Sequence, residues 1–224
     1  MTTEGGELFG KSLGQSVGSG LLATGIAGLV LYLYVRSSER MQSRLEVITE
    51  AGITNVFRHR SVRIKEQYNA RLRKAKQIDI IGLGLSSFRE DYAREFGEWS
   101  RRAKVRILLI DPDFPTKSQS LADFRDIEEG GTKGEIRNAV EAFEAEVAQH
   151  GDIDACRFKM RRMRTIPAIN LLRIDDEIFW GPYLMDERSR NTPTLLVQRG
   201  GFMFNELERH FEATWKSAVP APEE

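Results

Sequence analysis

Arg157, Lys159 and Arg161 alternate with Phe158 and Met160, and Arg162 and Arg164 are expected to extend the same run, so five cations fall within eight residues of this 224-residue chain. Alternation at a period of two sends side chains to opposite faces of a strand, so one face carries a basic stripe and the other enters a core. Such a stripe binds phosphorylated or other anionic groups through charge-assisted hydrogen bonds. Its bland alternative is a strand kept soluble and edge-protected by charge. Ser86 and Ser87, with the amides that open the helix they begin, are expected to donate to the same anion from the other side. Acid–base and metal chemistry find little support. His59, His150 and His210 are scattered, without an H-E-x-x-H spacing, and read as solvated, structural or helix-terminal residues. The single cysteine, Cys156, excludes an internal disulfide framework and a cysteine-rich zinc site. Gly82-Leu83-Gly84 lacks the third glycine of a dinucleotide loop, and there is no P-loop or Gly-x-Ser-x-Gly. No cofactor and no metal are expected.

The elements that must position these residues read as an α/β chain. Ile53–Phe57 is a short strand, Ser61–Lys76 a helix anchored by Val62, Ile64, Tyr68 and Leu72, and Ile78–Gly82 a compact strand. Ser87 with Glu90 three residues later has the form of a capping box for a helix carrying Tyr92, Phe96 and Trp99. Val105–Ile110 is apolar except for Arg106 and stops at Asp111-Pro112, the pattern of a buried central strand. Strand, helix, strand implies a parallel pair. The polar tract Asp113–Gly134 is expected to be a mobile loop with a short helix. A helix over Glu135–Gln149 follows, then strands over Ala155–Met163, Ile169–Ile174, Ile178–Trp180 with its continuation, and Thr194–Gln198. A final helix, Asn205–Ser217, carries Leu207, Phe211 and Trp215.

The C-terminal order of basic strand, Ile169-Asn170-Leu171-Leu172-Arg173-Ile174-Asp175-Asp176-Glu177, Phe179-Trp180-Gly181-Pro182-Tyr183, and an aromatic helix with Phe211-x-x-x-Trp215 resembles one half of a phospholipase D superfamily domain. The resemblance covers about Ile53 to Ala218 and implies a phospholipase D-like mixed sheet flanked by helices. It also implies a degenerate H-x-K-x-x-x-x-D unit: with Asp175 on the family aspartate, Asn170 stands at the lysine and Ala168 at the nucleophilic histidine. Alanine cannot attack phosphorus, and asparagine offers only neutral hydrogen bonds. Gly181-Pro182-Tyr183 departs from the family's G-S-x-N. The domain is thus expected to be a pseudoenzyme in which Asn170, Arg173 and Asp175 contact ligand beside the basic stripe. Asp175 is alternatively a turn and salt-bridge residue paired with Arg173.

Val17 to Val35 contains no charge, and residues 16–35 read as a transmembrane helix after a tail at 1–15. Lys11 stands alone before it, whereas Arg36, Arg40 and Arg44 follow. By the positive-inside rule this places the C-terminal domain in the cytoplasm, behind a single pass through the cell inner membrane. Ser16, Gly20, Thr24 and Gly28 recur every four residues and form a small-residue face on which two copies could pack. Residues 36–52 read as a juxtamembrane stalk helix closed by Gly52, 53–218 as the phospholipase D-like domain and 219–224 as a tail. From Arg36 to Lys76 eleven cations oppose four carboxylates, a local charge of +7 suited to anionic lipid, although the whole chain carries 33 of each sign. The leading expectation is a membrane-anchored sensor or effector, homodimeric or larger, that binds a nucleotide or nucleic-acid-like anion in bacterial signalling or antiviral defence. The alternatives are a membrane-anchored phosphodiesterase and an anchor that docks a soluble protein partner.

Overall fold

A computed structural model describes residues 24–38, 42, 45–58 and 62–221. The chain divides into two compact units, Met1–Ile48 and Thr49–Glu224. In the first, 24–38 form a helix (α1) on which Ile26, Leu29, Val30, Leu31 and Leu33 are exposed. Arg36 donates to the hydroxyl of Tyr32, one turn earlier, at 2.9 Å. The expected span begins at residue 16, so its first eight residues lie outside the described ones, as does most of the stretch 39–44 of the expected stalk. Among the described residues no helix is long and apolar enough to cross a membrane.

The second unit is built on an eight-stranded mixed sheet. Its strands are β1 (Ile53–Phe57), β2 (Gln77–Ile81), β3 (Lys104–Ile110), β6 (Phe158–Met163), β7 (Ile169–Ile174), β8 (Glu177–Pro182), β9 (Thr194–Gln198) and β10 (Val219–Pro220), and they lie in the order β1-β9-β8-β7-β2-β3-β6-β10. The pairs β2/β3 and β3/β6 are parallel, and the other neighbours are antiparallel. The parallel pair expected from the strand, helix, strand order is therefore present. β3 lies inside the sheet, and Val105 to Ile110 are all buried, as the near-continuous apolar run requires.

Helices cover both faces. α2 (Val62–Leu72), α3 (Ser86–Tyr92), α4 (Phe96–Arg102) and α6 (Glu135–Gln149) enclose one core with Ile78, Ile80, Val105, Ile107, Phe158, Leu172 and Phe179. α7 (Phe202–Ser217) covers the other face, where Phe204, Leu207 and Phe211 meet Ile81, Leu108, Leu171, Ile178 and Val197. Alternate residues of each strand thus belong to different layers.

Several boundaries differ from the sequence expectation for identifiable reasons. α2 stops at Leu72 rather than Lys76, where the Arg102 guanidinium takes the Leu72 carbonyl. The capping box does not form: α3 opens one residue before Ser87, behind Leu85 in the left-handed region, with no side-chain cap, and the helix expected to run on breaks into a 3₁₀ turn at Ala93–Glu95 before α4. β6 begins at Phe158, because Ala155 to Arg157 form a turn. α7 begins at Phe202, three residues before Asn205.

The tract expected as a mobile loop is an ordered subdomain. β4 (Pro115–Thr116) and β5 (Gln119–Ser120) make a small hairpin, and α5 (Leu121–Glu128) follows, capped by the Ser120 hydroxyl on the amide of Asp123 at 3.0 Å. The Asp126 carboxylate accepts from the amides of Gly134 and Ile136 at 2.8 and 3.0 Å, supplying the acceptor that Gly134 lacks at the start of α6.

Candidate functional site

Charge on the α7 face follows from strand register. Asp79 lies opposite Arg106 on one neighbouring strand and opposite Arg173 on the other. All three are buried. Arg106 grips Asp79 with two hydrogen bonds, at 2.7 and 3.0 Å, and Glu212 of α7 with two more, at 3.0 and 2.7 Å. Arg173 reaches Asp79 at 3.5 Å and Glu208 of α7 at 2.8 Å. Burial works against the Arg106 charge, but the bonds to Asp79 and Glu212 outweigh it and raise its pKa above the ordinary arginine value. The same bond to Arg106 pulls the Glu212 carboxyl below its usual range. Arg106 also lies over the rings of Phe211 and Trp215, at 4.6 and 5.5 Å. This layer fastens α7 to the sheet.

Beyond Arg106, toward the sheet edge, the balance of charge ends. Register places Lys159 opposite Arg106 and Arg161 opposite Leu108, while Arg157 comes just before the first paired residues of β6. With Lys76, Arg102, Lys104, Cys156 and Trp215 these residues line a groove of about 480 Å³. Seven of its nine lining residues are cations, and no carboxylate lines it. Arg102 pairs with Glu98, Arg106 with Asp79 and Glu212, and Arg157 loosely with Asp154 at 3.9 Å. Arg161 donates to the Trp215 carbonyl at 2.7 Å and lies 4.6 Å from that ring. Lys76, Lys104, Lys159 and Arg161 have no ion pair among the described residues.

The opposite face of the same strand behaves differently. Arg162 is held by Glu144 of α6 at 2.7 and 2.5 Å, and that bond, ahead of the opposing effect of burial, raises its pKa. Arg164 pairs with Asp111 at 3.2 Å. Arg162 and Arg164 therefore do not extend the basic stripe: Arg162 is matched on the α6 side of the sheet, and Arg164 lies in the bend just past β6.

The eight expected ligand residues do not converge. Arg157, Lys159 and Arg161 share the groove. Ser86, Ser87 and Asn170 instead line a cavity of about 250 Å³ with Tyr183, Thr194, Arg188, Arg190 and the carboxylates of Asp126, Glu129 and Glu135. Chain direction separates the two. Lys76 and Lys104 stand where β2 and β3 begin and Arg157 just before β6, whereas Ser86 and Ser87 follow the far end of β2, about five residues or roughly 16 Å away. The cavity is also the more evenly charged. Burial, ahead of all other influences, lifts the carboxyls of Asp126 and Glu129 above their usual range, and burial likewise raises the Tyr183 phenol.

Arg173 and Asp175 line neither space. Arg173 belongs to the α7 layer and reaches Asp175 only through its main-chain carbonyl, at 2.9 Å, so the expected side-chain pair between them is absent. Asp175 sits in the left-handed region and accepts from the amides of Lys76 and Gln77 at 2.9 and 2.8 Å, which makes it a turn residue. Asn170 donates across the ladder to the Gly181 carbonyl at 3.1 Å and stands at the other end of β7 from Asp175. His150 caps α6 beside Asp152, His210 is exposed on α7, and His59 lies outside the described residues. Of the small-residue face, Ser16 and Gly20 lie outside the described residues. Thr24 and Gly28 are on α1, and a Cβ at Gly28 would meet nothing within 4 Å.

Sequence reasoning missed Lys76, Arg102 and Lys104. Each follows or precedes an apolar element and looks like a solubilising terminus; only the parallel register of β2, β3 and β6 brings them beside the stripe.

No protein-family model matches the chain, and no curated protein matches it. Among solved structures it is similar to TrmBL2, an archaeal chromatin protein, with 15% identity over 96% of this chain and 69% of that one and a TM-score of 0.46. It is also similar to Nuc from Salmonella typhimurium, a phospholipase D family member, with 9% identity over 73% of this chain and 93% of that one and a TM-score of 0.43. NucT from Helicobacter pylori matches at 10% identity, over 75% of this chain and 98% of that one, with a TM-score of 0.40. These are distant likenesses of fold.

Proposed function

We propose that this chain is a membrane-anchored binding protein whose second unit senses an anionic ligand of the nucleotide or nucleic-acid type in the cationic groove, without phosphodiester chemistry of its own. One observation carries the reading: cations line the groove without a carboxylate, while Arg162, the cation on the other face of the same strand, is matched to Glu144. Lys76, Lys104, Lys159 and Arg161 converge on this one groove with no ion pair among the described residues, which a bound anion would supply. Lys159, opposite Arg106 on the groove side, has no ion pair of its own among the described residues and is placed to meet a bound anion.

Ala168 and Asn170, where the resemblance places the histidine and lysine, supply neither a nucleophile nor a cation, which favours binding over hydrolysis. Attachment to the inner membrane, with the second unit cytoplasmic and the chain paired through Ser16, Gly20, Thr24 and Gly28, is part of the same proposal. It draws on the charge-free run before Arg36 and on the exposed apolar side chains of α1.

The test is thermal stabilisation of the full-length protein in nonionic detergent by inorganic phosphate, pyrophosphate, nucleotides and short nucleic acids. A ligand at 100 times its dissociation constant adds about 2.7 kcal/mol to the folded state. Stabilisation that Lys104→Gln with Lys159→Gln abolishes is the expected result. Release of phosphate or nucleotide from any of these probes by the purified protein would replace the binding reading with an enzymatic one.

A further inference from the structure

The ladder register sorts the groove's cations into rungs. On the α7 face, Gln77 pairs with Lys104 and Arg157 precedes β6 at the same level; Asp79, Arg106 and Lys159 follow in line; then come Ile81, Leu108 and Arg161. Along the outer strand, successive rungs therefore each present one cation, Arg157, Lys159 and Arg161, at a repeat of about 6.6 Å. That repeat is of the order of the separation between neighbouring phosphates in an extended single-stranded backbone, and longer than the separation within a diphosphate. A short β10 pairs only with Arg161 and Arg162, so among the described residues nothing pairs the outer edge of β6 from Phe158 to Met160. At the third rung the guanidinium of Arg161 is fixed by the Trp215 carbonyl and ring, offering a flat cation beside an aromatic, the combination on which unstacked bases rest.

We infer that the groove holds three consecutive phosphates of a single-stranded nucleic acid laid along β6, one phosphate to each of Arg157, Lys159 and Arg161, with Lys104 supporting the first. This rests on the proposed anion-binding role and names its ligand. The arrangement selects by spacing: a compact anion reaches one rung, and a stretched backbone reaches all three. A duplex, whose phosphates wind about an axis and which brings a second strand to accommodate, does not follow a straight strand.

The experiment is binding of an end-labelled thymidine strand of about eight nucleotides to the full-length protein in nonionic detergent, by fluorescence anisotropy across a salt series. Three phosphates released from their counterions give a slope of log K on log salt near −2, at about −0.7 for each phosphate in a single strand. Lys159→Gln is expected to bring the slope to about −1.4, and Lys117→Gln, on the distant β4–β5 hairpin, to leave it unchanged. Pyrophosphate that competes as well as the strand does, per mole of ligand, would overturn the inference while leaving the anion-binding reading intact. So would duplex DNA or anionic lipid vesicles bound more tightly than the strand, or a slope that Lys159→Gln does not move. Failure of every anion to bind would overturn both.

Discussion

Replacing Asp79 by alanine would leave Arg106 and Arg173 buried on neighbouring strands without the carboxylate that lies between them. Removing one partner of a buried pair costs about 3–5 kcal/mol, and Asp79→Ala is expected to fall in that range by denaturant unfolding. Lys159→Gln should behave differently: Lys159 is exposed and has no ion pair among the described residues, so the ligand-free protein should keep its stability to within about 0.5 kcal/mol while losing anion affinity. A residue whose removal costs binding and spares stability is what a ligand contact looks like. Glu212 adds a pH dependence. Its carboxyl is held below the usual range by Arg106, so its stabilising share is complete above the ordinary glutamate pKa and is lost as pH falls through the lowered value. Glu212→Gln should therefore flatten the acid limb of a stability-against-pH curve, leaving the neutral-to-alkaline shape unchanged. At this scale the basic stripe was legible, because alternation along a strand needs no knowledge of the fold. That Arg162 belongs to the other face was legible too, by the same period of two, once Lys159 and Arg161 are assigned to the groove.

Elements explain what single residues could not. The strands Ile53–Phe57, Ile169–Ile174 and Thr194–Gln198 and the helix Glu135–Gln149 stand where the sequence places them: the helix buries Ile136, Val140 and Phe143 at helical spacing, Ile169–Ile174 and Thr194–Gln198 bury most of their apolar residues, and Ile53–Phe57, at the sheet edge, half-buries only its two ends. The failures came where local signals compete with long-range partners. Ser87 and Glu90 have the spacing of a capping box, but the chain enters α3 through Leu85 in the left-handed region and leaves Ser87 inside the helix. The 113–134 tract looks like loop material because its hydrogen-bonding side chains, Ser120 and Asp126, are polar; they are buried as caps. The site was misassembled for a topological reason. Whether Ser86 and Asn170 lie near Arg157 depends on which way β2, β6 and β7 run, and pattern alone does not carry that direction. One close approach tests the α7 side of the sandwich. A Cβ on Gly201, at the start of α7, would fall 2.3 Å from the Cα and amide nitrogen of Gly52, backbone that cannot yield as a side chain can. Gly201→Ala is expected to cost about 2 kcal/mol, within the range for overpacking, although the extended backbone at Gly201 suits alanine.

For the whole molecule, the sequence separates a charge-free N-terminal run from a neutral remainder with a basic beginning, and the chain folds as a first unit and a sheet-based second one that divide near residue 48. The proposed arrangement holds the second unit at an anionic surface, where each juxtamembrane cation contributes roughly 1 kcal/mol, and leaves the groove open to a soluble anion. Membrane attachment predicts that the full-length chain stays in the membrane fraction through an alkaline carbonate wash; release into the wash would contradict it. The central claim, that the groove is a ligand site rather than a solubilising edge, is tested most directly by calorimetric titration of pyrophosphate, and of a short thymidine strand, into full-length protein in detergent, comparing the natural sequence with Lys104→Gln/Lys159→Gln. The account predicts saturable binding to the natural sequence, weakened at least tenfold in the double variant, whose ligand-free stability is unchanged. Equal affinity in the two proteins, or no heat with either, would contradict it.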